Sequence, residues 1–125
     1  MKVLALDFGS ARTGVAVSDP TGTLARPLGV VERAGSDAGL GELVALIGEH
    51  APERVVVGLP LTLRGEHGEQ ARATGEFVES LRAHVNVPVE TFDERFTSVL
   101  AGGDDAKAAA YLLSSYLERL GVAGG

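Results

Sequence analysis

The sequence predicts an α/β fold, a five-stranded mixed sheet flanked by helices, and two observations carry that reading. Three apolar stretches near the N-terminus follow one another across short turns, the pattern of an antiparallel meander. Two later apolar runs, 54–58 and 87–93, then alternate with amphipathic segments, as parallel strands alternate with crossover helices. The order is β-β-β-α-β-α-β-α, an antiparallel meander followed by αβ units.

Residues 2–7 (Lys-Val-Leu-Ala-Leu-Asp) read as a buried strand that ends in a carboxylate. Residues 8–13 form a tight glycine turn into a second strand, Gly14–Ser18. Asp19-Pro20-Thr21-Gly22 is a strong turn signal, and 26–33 reads as the third strand. Ser36 or Asp37 caps a helix over about 37–50, with Leu40, Leu43, Val44 and Ile47 spaced three and four apart. Arg54-Val-Val-Val-Gly58 is continuously apolar, as a strand buried on both faces must be. The loop 59–65 leads to a helix over about 67–84, apolar at Ala71, Phe77, Val78 and Leu81. Val87–Asp93 is the last strand. Asp104 or Asp105 opens the last helix, whose predicted apolar face is Ala108, Tyr111, Leu112, Tyr116 and Leu120.

A chain of 125 residues fits one domain over 1–125, long enough to bury a core. With no cysteine, thiol catalysis, iron–sulfur clusters and Cys-ligated zinc are excluded. His50, His67 and His84 lack His-x-x-x-His spacing, which argues against a zinc site. The N-terminal apolar run is broken by Asp7, too early for a signal peptide or membrane span, so no membrane association and a cytoplasmic location are expected. A net charge of −6 argues against a diffuse phosphate-binding surface. It leaves room for a local one, because nine of the 11 cations are Arg, the better bidentate phosphate ligand.

In mixed sheets of this kind, ligands bind beyond the C-terminal ends of the parallel strands. Asp7 closes the first strand, Glu94 follows the last, and Asp105 begins the final helix, so three carboxylates from distant parts of the chain converge on that edge. Each has a plain structural reading: a turn start for Asp7, a solvated strand end for Glu94, a helix cap for Asp105. Together they form a cluster of like charges, which Mg²⁺ or Mn²⁺ would resolve. Two such ions about 4 Å apart would activate a water and stabilise the leaving oxygen of a phosphodiester. Gly9, Arg12 and Gly14 make a glycine turn in which backbone N–H groups approach a phosphate and Arg12 clamps it, although the same spacing suits a plain hairpin. Gly58-Leu-Pro-Leu-x-x-x-Gly65 is a strand exit that holds substrate near Arg64 or only stiffens a turn.

Four segments carry a family resemblance. Leu6-Asp-Phe-Gly-Ser-Ala-Arg-Thr-Gly-Val-Ala-Val-Ser-Asp19, Val56-Val-Gly-Leu-Pro-Leu…Gly65, Asp93-Glu-Arg-Phe-Thr97 and Asp105-Ala-Lys-Ala-Ala-Ala-Tyr-Leu-Leu resemble, in order, the motifs of the YqgF (RuvX) proteins. That family is described as Holliday-junction-resolvase-like and as nucleases maturing the 5′ end of pre-16S rRNA. The resemblance implies an RNase H-like fold and a metal-dependent nuclease. In it Asp7, Glu94 and Asp105 are the catalytic, metal-binding acids, and Arg12, Arg95 and Thr97 lie on the substrate side. Resolvases of the RuvC type carry an acid at the end of the strand that here finishes Gly58-Leu59, so this chain must use Glu94 from the following strand. The family also places a longer basic segment where 97–104, with Gly102-Gly103, crosses in a few residues.

The favoured reading is a phosphodiesterase acting on structured RNA, a monomer or weak homodimer with pre-rRNA as partner. Its rivals are a four-way DNA junction resolvase, which would need a symmetric dimer, and a non-catalytic rRNA-binding or assembly factor. A nucleotide-binding module of the actin-like type is a further alternative, but that fold normally closes two domains around its nucleotide.

Overall fold

The computed structural model describes residues 1–60, 68–94 and 105–124. Its strands are β1 (Val3–Asp7), β2 (Arg12–Ser18), β3 (Ala25–Glu32), β4 (Arg54–Leu59) and β5 (Val89–Asp93). Its helices are α1 (Asp37–His50), α2 (Glu69–Arg82) and α3 (Asp105–Gly124). The five strands form one mixed sheet in the order β3-β2-β1-β4-β5. β1 is antiparallel to β2 and β2 to β3, whereas β4 runs parallel to both β1 and β5. The predicted fold class and element order are those observed.

The central strands must be apolar on both sides, and their alternate residues sort cleanly between two cores. Leu4, Leu6, Val15, Val55 and Val57 face α1 and α2, packing on Leu43, Ile47, Phe77, Val78 and Leu81. Val3, Ala5, Ala16 and Val56 face α3, packing on Ala109, Leu112, Leu113 and Tyr116. Asp7 falls in step with Val3 and Ala5, Gly14 with Ala16, and Gly58 with Val56. The end of the sheet on the α3 side is therefore where Asp7 looks out.

Two sequence expectations are corrected. Tyr111 is half exposed, and the inward face of α3 uses Ala109 and Leu113 instead; an alanine-rich helix offers apolar residues on several sides, so spacing alone did not choose among them. Arg12 and Gly14 belong to β2 rather than to a turn, because the ladder with β3 continues to Arg12↔Glu32 and extends the strand two residues earlier than composition suggests. Helix α1 begins at the Ser36 cap, whose Oγ accepts from the Gly39 N–H at 3.1 Å. No described helix is long and apolar enough to cross a membrane.

Candidate active site

The acidic residues come together because three chain directions end at one edge. β1, β4 and β5 are parallel, so Asp7, Leu59 and Asp93 leave the sheet on the same side, and the register pairs Leu59 with Asp93. Helix α1 starts after β3, which is antiparallel to β2 and so finishes at this same edge, where the Arg33 N–H donates to the Ala11 carbonyl at 2.9 Å. Helix α2 returns its C-terminus to the opposite edge, where Arg82 donates to the Val89 carbonyl, so its N-terminus too lies on the Asp7 side. Phe8, directly after Asp7, stacks on Phe77 of α2 with ring centroids 4.3 Å apart and fixes the exit of β1.

Asp7 and Glu94 are both half-buried and hydrogen-bond each other through their side chains. Burial pushes the Glu94 carboxyl up to about 7, reinforced by the Asp7 charge, by its hydrogen bond to Asp7 and by Asp93. Burial also raises Asp7; the hydrogen bond from Glu94 opposes this and the charge of Asp105 adds to it. Glu94 therefore holds its proton more tightly than an ordinary carboxyl, and its side chain is the donor in the hydrogen bond to Asp7.

Asp105 is close enough to act on Asp7 electrostatically, but its carboxylate is taken by Arg12, with Nε 3.2 Å from Oδ2. Among the described residues no three His, Asp or Glu side chains stand together as a finished metal cage. The structure joins Asp7 to Glu94 directly and sets Asp105 beside them on an ion pair. All the donors are carboxylate oxygens. This donor set fits a hard divalent cation.

Gly9 sits in the turn after Asp7, where a Cβ would lie 2.5 Å from the Arg12 carbonyl oxygen, and its N–H reaches Thr13 Oγ1 at 3.5 Å. The closed turn accounts for that glycine. Arg12 is 61% exposed and can reach solvent while holding Asp105. Arg64, Arg95 and Thr97 lie outside the described residues. The role of Asp93 in raising Glu94, and the space kept by Gly14 and Gly58 beside the acids, were missed by reading the sequence; the run Asp93-Glu94 was the available signal for the former.

Comparison with known proteins bears on the family and the fold. Residues 1–104 match the family described as "RuvX: Holliday junction resolvase". A Chloroflexus aggregans protein named "Putative pre-16S rRNA nuclease" is 48% identical over 99 residues, 79% of this chain and 70% of that protein. A Moorella thermoacetica protein of the same name is 40% identical over 99% of both chains. Among solved structures, Thermus thermophilus RuvC in complex with a Holliday junction substrate superposes with a TM-score of 0.60 at 21% identity, covering 97% of this chain and 96% of that one. The fowlpox virus Holliday junction resolvase gives 0.53 at 14% identity, covering 96% and 100%. At those identities the superpositions establish a shared RNase H-like fold, and the sequence matches settle the lineage: this chain belongs to the RuvX family.

Proposed function

We propose that the chain is a divalent-metal-dependent nuclease that hydrolyses phosphodiester bonds in structured RNA, its substrate being the 5′ end of pre-16S rRNA. The observation that carries this reading is the Asp7–Glu94 pair, two half-buried carboxyls compressed against each other at the end of the sheet with Asp105 alongside. Two carboxyls buried against each other with a third beside them are hard to account for structurally and suit a site whose charge is completed by a cation. Asp7, Glu94 and Asp105 would hold Mg²⁺ or Mn²⁺. When bound, such an ion supplies Lewis-acid stabilisation and lowers the pKa of water.

The chain's own groups do the rest. For a cation to bind, Glu94 would release its proton to solvent, leaving both carboxylates as acceptors. Arg12 turns its exposed guanidinium to a phosphate oxygen and neutralises charge there, a role that depends on fixed geometry. The N-termini of α1, α2 and α3 all open towards this edge, and their dipoles favour a polyanion locally although the chain is acidic overall. Gly9, Arg64, Arg95 and Thr97 belong to the substrate side of this reading through their motifs. The names of the relatives support RNA, and a monomer or weak homodimer is part of the same proposal.

The test is an end-labelled precursor-rRNA fragment beside a four-way DNA junction, each incubated with Mn²⁺. Cleavage of the RNA, reduced at least about 100-fold by Asp7→Asn, is expected. Equal cleavage by wild type and Asp7→Asn, or none with any divalent metal, overturns the assignment. Cutting confined to the junction replaces RNA by branched DNA as substrate.

A further inference from the structure

We infer that Gly14 and Gly58 are positioning residues of the acidic site: they flank Asp7 in the sheet and leave its floor bare so that Asp105 and Glu94 can close over it. This deepens the metal-site reading and rests on it. Gly14 of β2 is the register partner of Asp7. Gly58 of β4 follows Val57, the partner of Leu6, and so stands on the other side of Asp7. One layer deeper on the same face the three strands carry Ala16, Ala5 and Val56, all filled against α3. At the level of Asp7 the row becomes Gly-Asp-Gly.

What occupies the vacated space is the other two acids. A Cβ at position 14 would lie 1.8 Å from the backbone oxygen of Asp105 and 2.4 Å from its carbonyl carbon. The first residue of α3 therefore rests directly on Gly14. A Cβ at position 58 would lie 2.5 Å from Glu94 Oε1, 3.0 Å from its Cγ and 3.0 Å from Leu112 Cδ2. The Glu94 carboxylate thus lies in the space that a side chain at position 58 would take. Neither glycine has a positive φ, so backbone freedom does not explain them. In a central strand glycine weakens the sheet and often marks a close approach, and here the approaching groups are the catalytic candidates.

The two collisions differ in kind. At Gly14 the obstacle is helix backbone, so a methyl group would displace α3. At Gly58 it is chiefly the end of a flexible side chain, so a methyl group would turn Glu94 away from Asp7 and leave the sheet intact.

The experiment is Mn²⁺ titration by calorimetry of wild type, Gly58→Ala, Asp7→Asn and the control Gly41→Ala, where an added Cβ meets nothing within 4 Å. Expected are at least tenfold weaker Mn²⁺ binding in Gly58→Ala with an unchanged circular dichroism spectrum, severe loss in Asp7→Asn, and no change in Gly41→Ala. Wild-type affinity in Gly58→Ala beside a defective Asp7→Asn overturns the glycine inference alone. Wild-type affinity in Asp7→Asn overturns the metal-site reading beneath it. Should Gly58→Ala fail to fold, adding Glu94→Ala should restore folding, since of the groups in the way only Leu112 Cδ2 at 3.0 Å remains; a double variant no more stable than Gly58→Ala refutes the proposal.

Discussion

Replacing Asp7 by Asn removes the charge that most strongly opposes ionisation of Glu94 after burial itself, and this should stabilise the metal-free protein while disabling it. Glu94 is raised from 4.5 to about 7. Its folded form therefore keeps a proton that the unfolded chain has released, and stability falls as pH rises between those values. At about 1.36 kcal/mol per pKa unit the nominal penalty above pH 7 is about 3 kcal/mol. Water reaches this half-buried pair, so screening reduces it to about 1–2 kcal/mol. Burial remains in Asp7→Asn, but the Asp7 charge goes, so the variant should gain about 1 kcal/mol at pH 8, or about 3–6 °C in Tm for a chain of this length. It should gain little below pH 4.5, where Glu94 is protonated in both states. Urea unfolding in EDTA from pH 4.5 to 8 reads both quantities. Equal or lower stability of Asp7→Asn at pH 8, or a pH slope identical to wild type, would refute the compressed pair.

Adding Mn²⁺ to wild type at pH 7.5 should raise Tm, by the equivalent of about 2.7 kcal/mol at a hundredfold excess over Kd, and EDTA should reverse it; a thermal scan checks this, and Asp7→Asn should show almost none of the shift. Arg12→Gln breaks an ion pair whose arginine is 61% exposed and whose aspartate is 33% exposed, worth less than about 1 kcal/mol. Tm should scarcely move, whereas RNA cleavage should fall at least tenfold, seen in steady-state kinetics. Ala51 terminates α1 in the left-handed region at φ 47° and ψ 54°. Ala51→Gly should therefore add about 0.5–1 kcal/mol in urea unfolding without altering cleavage, since it lies at the opposite edge.

The parts legible in the sequence were those set by local periodicity. Val3 to Leu6 and Val55 to Val57 are buried on both faces and read as central strands without help from elsewhere. The place of Asp7 at the end of such a strand followed at once, and with it the edge where chemistry belongs. The start of β2 did not follow, because Arg12 and Thr13 become strand through pairing with β3, a contact no local pattern encodes. The hydrogen bond between Asp7 and Glu94 was equally out of reach, since it depends on side chains 87 positions apart meeting at a distance only the folded sheet defines. Gly58 illustrates the limit best. Its neighbours in sequence place it at the end of a buried strand, and nothing among them shows that Glu94, the residue after β5, lies in the space a side chain there would take.

An acidic chain that handles a polyanion needs a local inversion of charge, and this fold concentrates the problem and its remedy at one place. Asp7, Asp93, Glu94 and Asp105 gather at the end of the sheet, against Arg12 within the cluster and Arg33 at its margin. Among the described residues the acids at this edge outnumber the arginines, and they oppose the pull of the three helix N-termini on a phosphate. Each divalent ion adds two positive charges where the repulsion is greatest, so metal and nucleic acid must favour each other's binding by the same factor. Asp105 and Arg12 give that coupling a physical form. Arg12 pairs with Asp105 and is 61% exposed, so on the proposed reading a cation that took over Asp105 would free Arg12 for the phosphate. On the proposed reading the net charge of −6 does not count against nucleic acid, because a bound cation would offset the acids at this edge.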